Sequence, residues 1–187
     1  MLTDKGKLSF SSIYCLKVLG AFFVICIHCF DPWFIFPIIR TAVPFFFIIS
    51  GFFLYRDNLE QALDKCIKTF SKIFWITLYA NFFYYICYYV PNDIFPFRSL
   101  KSLIGFIVVG NTFGFHLWYL NAYLETLLVI IIAIKLRLLR QLWCFIPICV
   151  IVGLITGKYE FLFPYIPNNL ILSRNFFTIG IPCFGIG

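Results

Sequence analysis

Leu117-Trp118-Tyr119-Leu120-Asn121-Ala122-Tyr123-Leu124-Glu125-Thr126-Leu127-Leu128-Val129-Ile130-Ile131-Ile132-Ala133-Ile134 holds a single carboxylate and closes against Lys135, Arg137 and Arg140. As a helix rising 1.5 Å per residue it nearly matches a hydrocarbon core about 30 Å thick. It reads as a transmembrane helix with a cationic stop. The rest of the chain agrees: 62% of its 187 residues are hydrophobic, 26 of them Phe, and only 12% are charged. Soluble domains carry about a quarter charged residues, so the outward surface of this chain must itself be apolar. The fold class expected is an all-α, polytopic transmembrane helix bundle with about five or six spans, forming a single membrane domain over residues 1–187.

Further spans lie on either side. Ile13 to Phe36 ends against Pro32 and Pro37; Pro37 to Tyr55 carries Arg40 and closes at Arg56. Arg56 to Lys72 reads as a charged loop or amphipathic surface helix, followed by Ile73 to Val90 and, after Leu117 to Ile134, by Leu142 to Thr156. Leu103 to Phe115 is ambiguous, and charge decides it. If it only dips into the membrane or lies at its interface, Lys5, Lys7, Arg56, Lys65, Lys68, Lys72, Lys135, Arg137 and Arg140 share the cytoplasmic side, leaving Arg40, Arg98, Lys101, Lys158 and Arg174 outside. That arrangement satisfies the positive-inside bias better than a full crossing. Trp33 and Trp118 then fall at outer ends and Trp75 and Trp143 at inner ends, the headgroup depth that tryptophan prefers. The apolar segment after Lys5 and Lys7 has no small-residue cleavage site and reads as an uncleaved first span with the N-terminus in the cytoplasm.

The net charge of +7 is gathered in clusters between apolar runs rather than in one basic stripe, so it orients the chain and does not suggest nucleic acid. The eight cysteines lie almost all within or beside apolar segments and form no disulfide framework. No internal repeat or flexible linker interrupts the chain. The last apolar run, beginning at Ser173, stops inside itself at Gly187, so the chain is expected to be incomplete.

Ionisable residues at membrane depth mark sites or paths. Lys17 and His28 are eleven residues apart, about 16 Å and three full turns, and so share one helix face. They line a path into the membrane, or else Lys17 snorkels to the headgroups and His28 bonds a neighbouring helix. Cys26 and Cys29 flank His28, but Cys26 points the opposite way from it. The C-x-x-C-H order of a haem attachment site is absent, and the ligands for zinc are too few. No metal is expected. Glu125 either approaches His28 and fixes its tautomer, or is a desolvated neutral acid bonded to Tyr or Asn. His116 reads as an interfacial residue at a helix start. Ser50-Gly51 offers the small-residue surface on which helices pack in lipid.

Four motifs in order resemble acyltransferase family 3, the integral membrane O-acyltransferases of surface polysaccharides and related glycans. Lys17 followed by His28 is similar to the basic-residue-then-histidine first helix, with Lys standing where Arg is also found. Val43-Pro44-Phe45-Phe46-Phe47-Ile48-Ile49-Ser50-Gly51-Phe52-Phe53-Leu54 resembles the second-helix signature. His116-Leu117-Trp118-Tyr119-Leu120 resembles the next, and Ser173-Arg174-Asn175-Phe176-Phe177 a later Arg-Phe-Phe segment. Cys183 and Gly185 depart from the usual bulky apolar ending. The family has about ten spans, of which this chain resembles the first half or slightly more.

The resemblance implies a bacterial plasma (inner) membrane enzyme. A cytoplasmic acyl-CoA, chiefly acetyl-CoA, serves as co-substrate with no bound cofactor, and a sugar hydroxyl of a lipid-linked or exported glycan is the acceptor. His, with an unperturbed pKa of about 6.5, suits the general base; His28 is assigned that role and Glu125 its support. Lys17 and the inner cluster from Arg56 onward would draw in the anionic coenzyme. Ser50, His116, Trp118 and Arg174 are further candidate substrate or donor contacts. Two other functions compete: a polysaccharide flippase or other transporter, which needs polar groups from both faces but no base, and an inactive truncated remnant.

Overall fold

The computed structural model describes residues 3–29, 36–92, 97, 99–110, 113–114, 117–157, 159, 162 and 174–187. Every regular element among them is helical. In chain order these are α1 (Thr3–Cys29), α2 (Phe36–Ile39), α3 (Ala42–Leu54), α4 (Leu59–Tyr84) with a π-helical extension (Tyr85–Tyr89), α5 (Leu100–Val109), α6 (Trp118–Lys135), α7 (Leu139–Cys144), α8 (Ile146–Thr156) and α9 (Phe176–Ile186). Four stretches are long and apolar enough to cross a membrane: Ser12–Cys29, Pro37–Leu54, Trp118–Lys135 and Leu139–Thr156.

Three expected boundaries change. Residues 56–72 and the span from Ile73 are one helix, α4, because no Gly or Pro stands between Leu59 and Val90. The change from charged to apolar residues at Lys72 marks a change of solvent, not of backbone. Asn58 starts this helix, its Oδ1 accepting from Glu60 N at 2.8 Å. The span from Pro37 is instead broken in two. At Arg40 and Thr41 the chain turns, with Thr41 Oγ1 donating to Ile38 O at 2.6 Å, before α3 begins. Pro44 sits in the first turn of α3, where the missing N–H costs nothing. In the same way Pro147 and Pro182 stand in first helical turns, the former dividing the last expected span into α7 and α8.

α5 has ten residues, about 15 Å, half of what a crossing needs. Reciprocal hydrogen bonds between Ser99 and Ser102 cap its start, and Gly110 at φ 68° ends it. Asn121 of α6 donates to Phe106 O at 3.1 Å and ties α5 down. A helix this short agrees with the expectation that the segment does not cross the membrane.

The core gathers Phe47 and Leu54 of α3, Ala62 and Cys66 of α4, Ala122, Tyr123, Leu127, Ile130, Ile131 and Ile134 of α6, and Phe184 of α9. Polar side chains hide from hydrocarbon by bonding back onto their own helices. Ser50 Oγ donates to Phe46 O at 2.7 Å, Thr126 Oγ1 to Ala122 O at 2.7 Å and Thr77 Oγ1 to Ile73 O at 2.9 Å. α9 packs in the middle, against α3, α6 and α8, through glycines. A Cβ at Gly51 would collide with the Phe184 carbonyl, and one at Gly180 with Thr126 Oγ1. α1 packs on α2 and α3 and leaves most of its length exposed, with only 11% of Ser12–Cys29 buried.

Candidate functional site

Helix register fixes the levels of the candidate residues. α1 runs antiparallel to α3: Lys17 meets Phe53, Gly20 faces the Phe46 ring, and Phe23 reaches the groove wall with Ala42. α6 runs parallel to α3, since Tyr119 meets Phe46 and Phe47 while Tyr123 meets Phe47 and the Ser50 hydroxyl. α9 meets α3 main chain to main chain through its last turns, with the Phe184 carbonyl against Gly51 and the Ile48 carbonyl against Gly187.

At the C-terminal end of α3 three cations surround Phe53. Lys65 Nζ donates to Phe53 O at 2.6 Å, Arg56 Nη1 to the same oxygen at 3.3 Å, and Lys17 Nζ stands 4.1 Å from the Phe53 ring centroid. Arg56 also bonds the Tyr55 carbonyl. Unsatisfied carbonyls and the negative end of the helix dipole attract cations there, and the aromatic face adds a cation–π contact. Burial first, and the Arg56 charge second, lower the Lys65 ammonium from its ordinary value. One anion stands nearby: Asp57, whose Oδ1 accepts from the Tyr55 hydroxyl at 3.1 Å and raises that phenol.

Along α1 from Lys17 toward His28, an apolar groove of about 320 Å³ opens between α1 and α3, lined by Leu16, Leu19, Gly20 and Phe23 on one wall and Ala42 and Ile48 on the other. His28 occupies the last turn of α1 and is exposed, eight residues beyond Gly20 and so about 12 Å past the groove's middle. The structure thus brings Lys17 together with Arg56 and holds His28 on the same helix, beyond the other end of the groove.

Glu125 does not join His28. It lies half-buried on α6 two residues past Tyr123, which is level with Ser50, whereas His28 projects beyond the start of α3. Adding these offsets at 1.5 Å per residue separates Glu125 from His28 by about 20 Å along the helix axes. Its level is that of the Lys17 end. Ser50 is engaged on two sides, donating to Phe46 O and meeting the Tyr123 hydroxyl, so it joins α3 to α6. Trp118 starts α6 half-buried against the core. Arg174 precedes α9, whose start is capped by Asn175 Oδ1 accepting from Phe177 N at 2.8 Å and Thr178 N at 2.9 Å. His116 lies outside the described residues.

Sequence reasoning did not single out Phe53, and it held Lys65 only as one cation of the cluster from Arg56 onward. Among the described residues no group of three His, Cys, Asp or Glu side chains converges as a metal site would require.

A family model described as an acyltransferase domain matches residues 10–187. The chain is 30% identical over 165 residues to an amino-acid racemase of Enterococcus faecalis, covering 81% of this chain and 22% of that protein. A second amino-acid racemase of Enterococcus faecalis is 28% identical over 200 residues, covering 91% of this chain and 28% of that protein. A serine/alanine racemase of Enterococcus gallinarum is 25% identical over 150 residues, 68% of this chain and 20% of that protein. The chain therefore spans about a quarter of the length of these curated relatives. No solved structure matches.

Proposed function

The chain belongs to acyltransferase family 3, and on that premise we propose that it moves an acyl group, acetyl foremost, from acyl-CoA to a sugar hydroxyl of a surface polysaccharide or lipid-linked glycan. The observation that carries this reading is the order along α1: Lys17 with Arg56 and Lys65 gathered at Phe53, then the apolar groove, then His28 on the same helix about 7 Å beyond the groove's last α1 residue, Phe23. Phosphates of the coenzyme are held by the cations at the cytoplasmic mouth, and the acyl arm lies along the groove. His28 takes the proton of the acceptor hydroxyl as its oxygen attacks the thioester carbonyl. The tetrahedral intermediate collapses with loss of the coenzyme thiolate, which recovers the proton from the imidazolium, so the base returns neutral. Glu125, a register away, supports the Lys17 half of the path rather than the imidazole. The racemase names belong to the longer relatives, and the part aligned with them here is the helical membrane portion.

The test is His28→Ala in the complete protein, with acetyl transfer to glycan measured in membranes. Loss of general-base assistance lowers transfer by about 10²–10⁴-fold, while Lys17→Gln raises KM for acyl-CoA with kcat nearly kept. Undiminished transfer by His28→Ala sinks the assignment. Export that fails while acetylation persists would favour the transporter.

A further inference from the structure

α6 ends in a short turn, Leu136-Arg137-Leu138, and α7 starts at Leu139. The turn is built rather than slack. Leu138 N donates to Ala133 O at 2.8 Å and Arg137 N to Ile134 O at 3.1 Å, the pair of bonds with which a helix closes on a left-handed residue. That residue is Arg137, at φ 57°, where glycine is the usual occupant. On the far side, Leu139, Leu142 and Trp143 pack against the core, and a Cβ at Gly185 of α9 would strike the Trp143 ring. Both flanks of the turn are therefore fixed.

The groups it presents are of two kinds. Lys135, Arg137 and Arg140 are all exposed, and none of them forms an ion pair among the described residues, where Lys68 pairs with Asp64 instead. Between them stand Leu136 and Leu138, 61% and 43% exposed. Bulk water suits the cations but not two bare leucines. The boundary of a bilayer suits both, offering acyl chains to the leucines and phosphates to the cations. The brevity of the connection keeps the turn at that boundary. Trp118–Lys135 and Leu139–Thr156 are each long and apolar enough to cross, so the few residues joining them cannot carry the charges clear of the headgroups.

We propose that the α6–α7 turn is a site for the headgroup of an anionic phospholipid, its phosphate met by Lys135, Arg137 and Arg140 and its acyl chains by Leu136 and Leu138. Guanidinium forks grip phosphate oxygens in pairs, which favours arginine at two of the three positions. The site is separate from the cations at Phe53, where Arg56 and Lys65 are bonded to the carbonyl and Lys17 faces the ring. It is independent of the acyl-transfer reading.

The complete protein is reconstituted in nanodiscs of neutral phosphatidylcholine with increasing fractions of phosphatidylglycerol, and the midpoint of thermal unfolding is followed. Phosphatidylglycerol raises the midpoint of the native protein to a plateau. Arg137→Gly and Arg140→Gln each raise the half-saturating fraction about fivefold. Lys68→Gln makes the same change in net charge at a cation already paired with Asp64 and leaves that fraction unchanged. In phosphatidylcholine alone, Arg137→Gly unfolds about 2–4 °C above the native protein, because glycine relieves the left-handed backbone; its weaker response to anionic lipid is then not a loss of folding. Half-saturating fractions equal to the native value in both arginine variants overturn the site. An equal weakening in Lys68→Gln also overturns it, since a diffuse surface charge would respond that way. Inorganic phosphate added to neutral discs is the second arm: a shift as large as that of phosphatidylglycerol makes the ligand a free anion and overturns the lipid.

Discussion

Replacing Gly51 by Ala tests the closest helix crossing in the bundle. A Cβ there collides with the carbonyl oxygen of Phe184 and comes within 3.0 Å of that carbonyl carbon and 3.2 Å of the Gly187 carbonyl carbon. All three are main-chain atoms, so no rotamer change relieves the contact, and α3 and α9 must separate by roughly an ångström. Overpacking of this kind costs about 1–3 kcal/mol, against which Ala gains about 0.5–1 kcal/mol over Gly inside a helix. The packing cost wins, leaving a net loss of about 1 kcal/mol and at most about 2.5. At about 2–4 °C per kcal/mol for a chain of this size, thermal unfolding in detergent micelles falls by roughly 2–10 °C. Gly105→Ala is the internal control, because nothing lies within 4 Å of a Cβ there; helix propensity acts alone and the variant is stabilised by about 0.4–1 kcal/mol. A Gly51→Ala protein at least as stable as the native one refutes the packing argument.

Two more predictions concern a polar bridge and a thiol. The Ser50–Tyr123 contact joins α3 to α6, so a double-mutant cycle of Ser50→Ala with Tyr123→Phe gives a coupling of about 0.6 kcal/mol, the mean for such bonds in membranes; additivity of the two single losses would mean that the hydroxyls do not bond. Burial pushes the Cys66 thiol, in the charged first turns of α4, up to about 11. Because the folded state holds this proton more tightly than the unfolded chain, its contribution is fully kept below pH 9 and lost as pH rises from about 9 to 11. Stability in that window falls more steeply for the native protein than for Cys66→Ala, and equal slopes would contradict the burial.

What the sequence disclosed depended on whether the cause was local. The α6 span was legible because its apolar run has no interruption, and α5 was expected not to cross because the charges on either side argue against a crossing. The fusion of residues 56–72 with the following span was missed, since solvent preference changes at Lys72 while helix propensity does not. Lys17 and His28 could be set on one face from periodicity alone, as both belong to α1. The level of Glu125 could not, because it depends on how α6 slides along α3, which the rings of Phe47, Tyr119 and Tyr123 determine.

The pairing of α3 with α9 also sets a schedule for biogenesis. The glycine-bearing flank of α3 leaves the ribosome 133 positions before the segment that covers it. At about 5–20 residues per second, that is roughly 7–27 s of synthesis. Through that interval the notch at Gly51 must be filled by lipid tails or a passing helix, and α9 has to displace the occupant as it threads in beside α6 and α8.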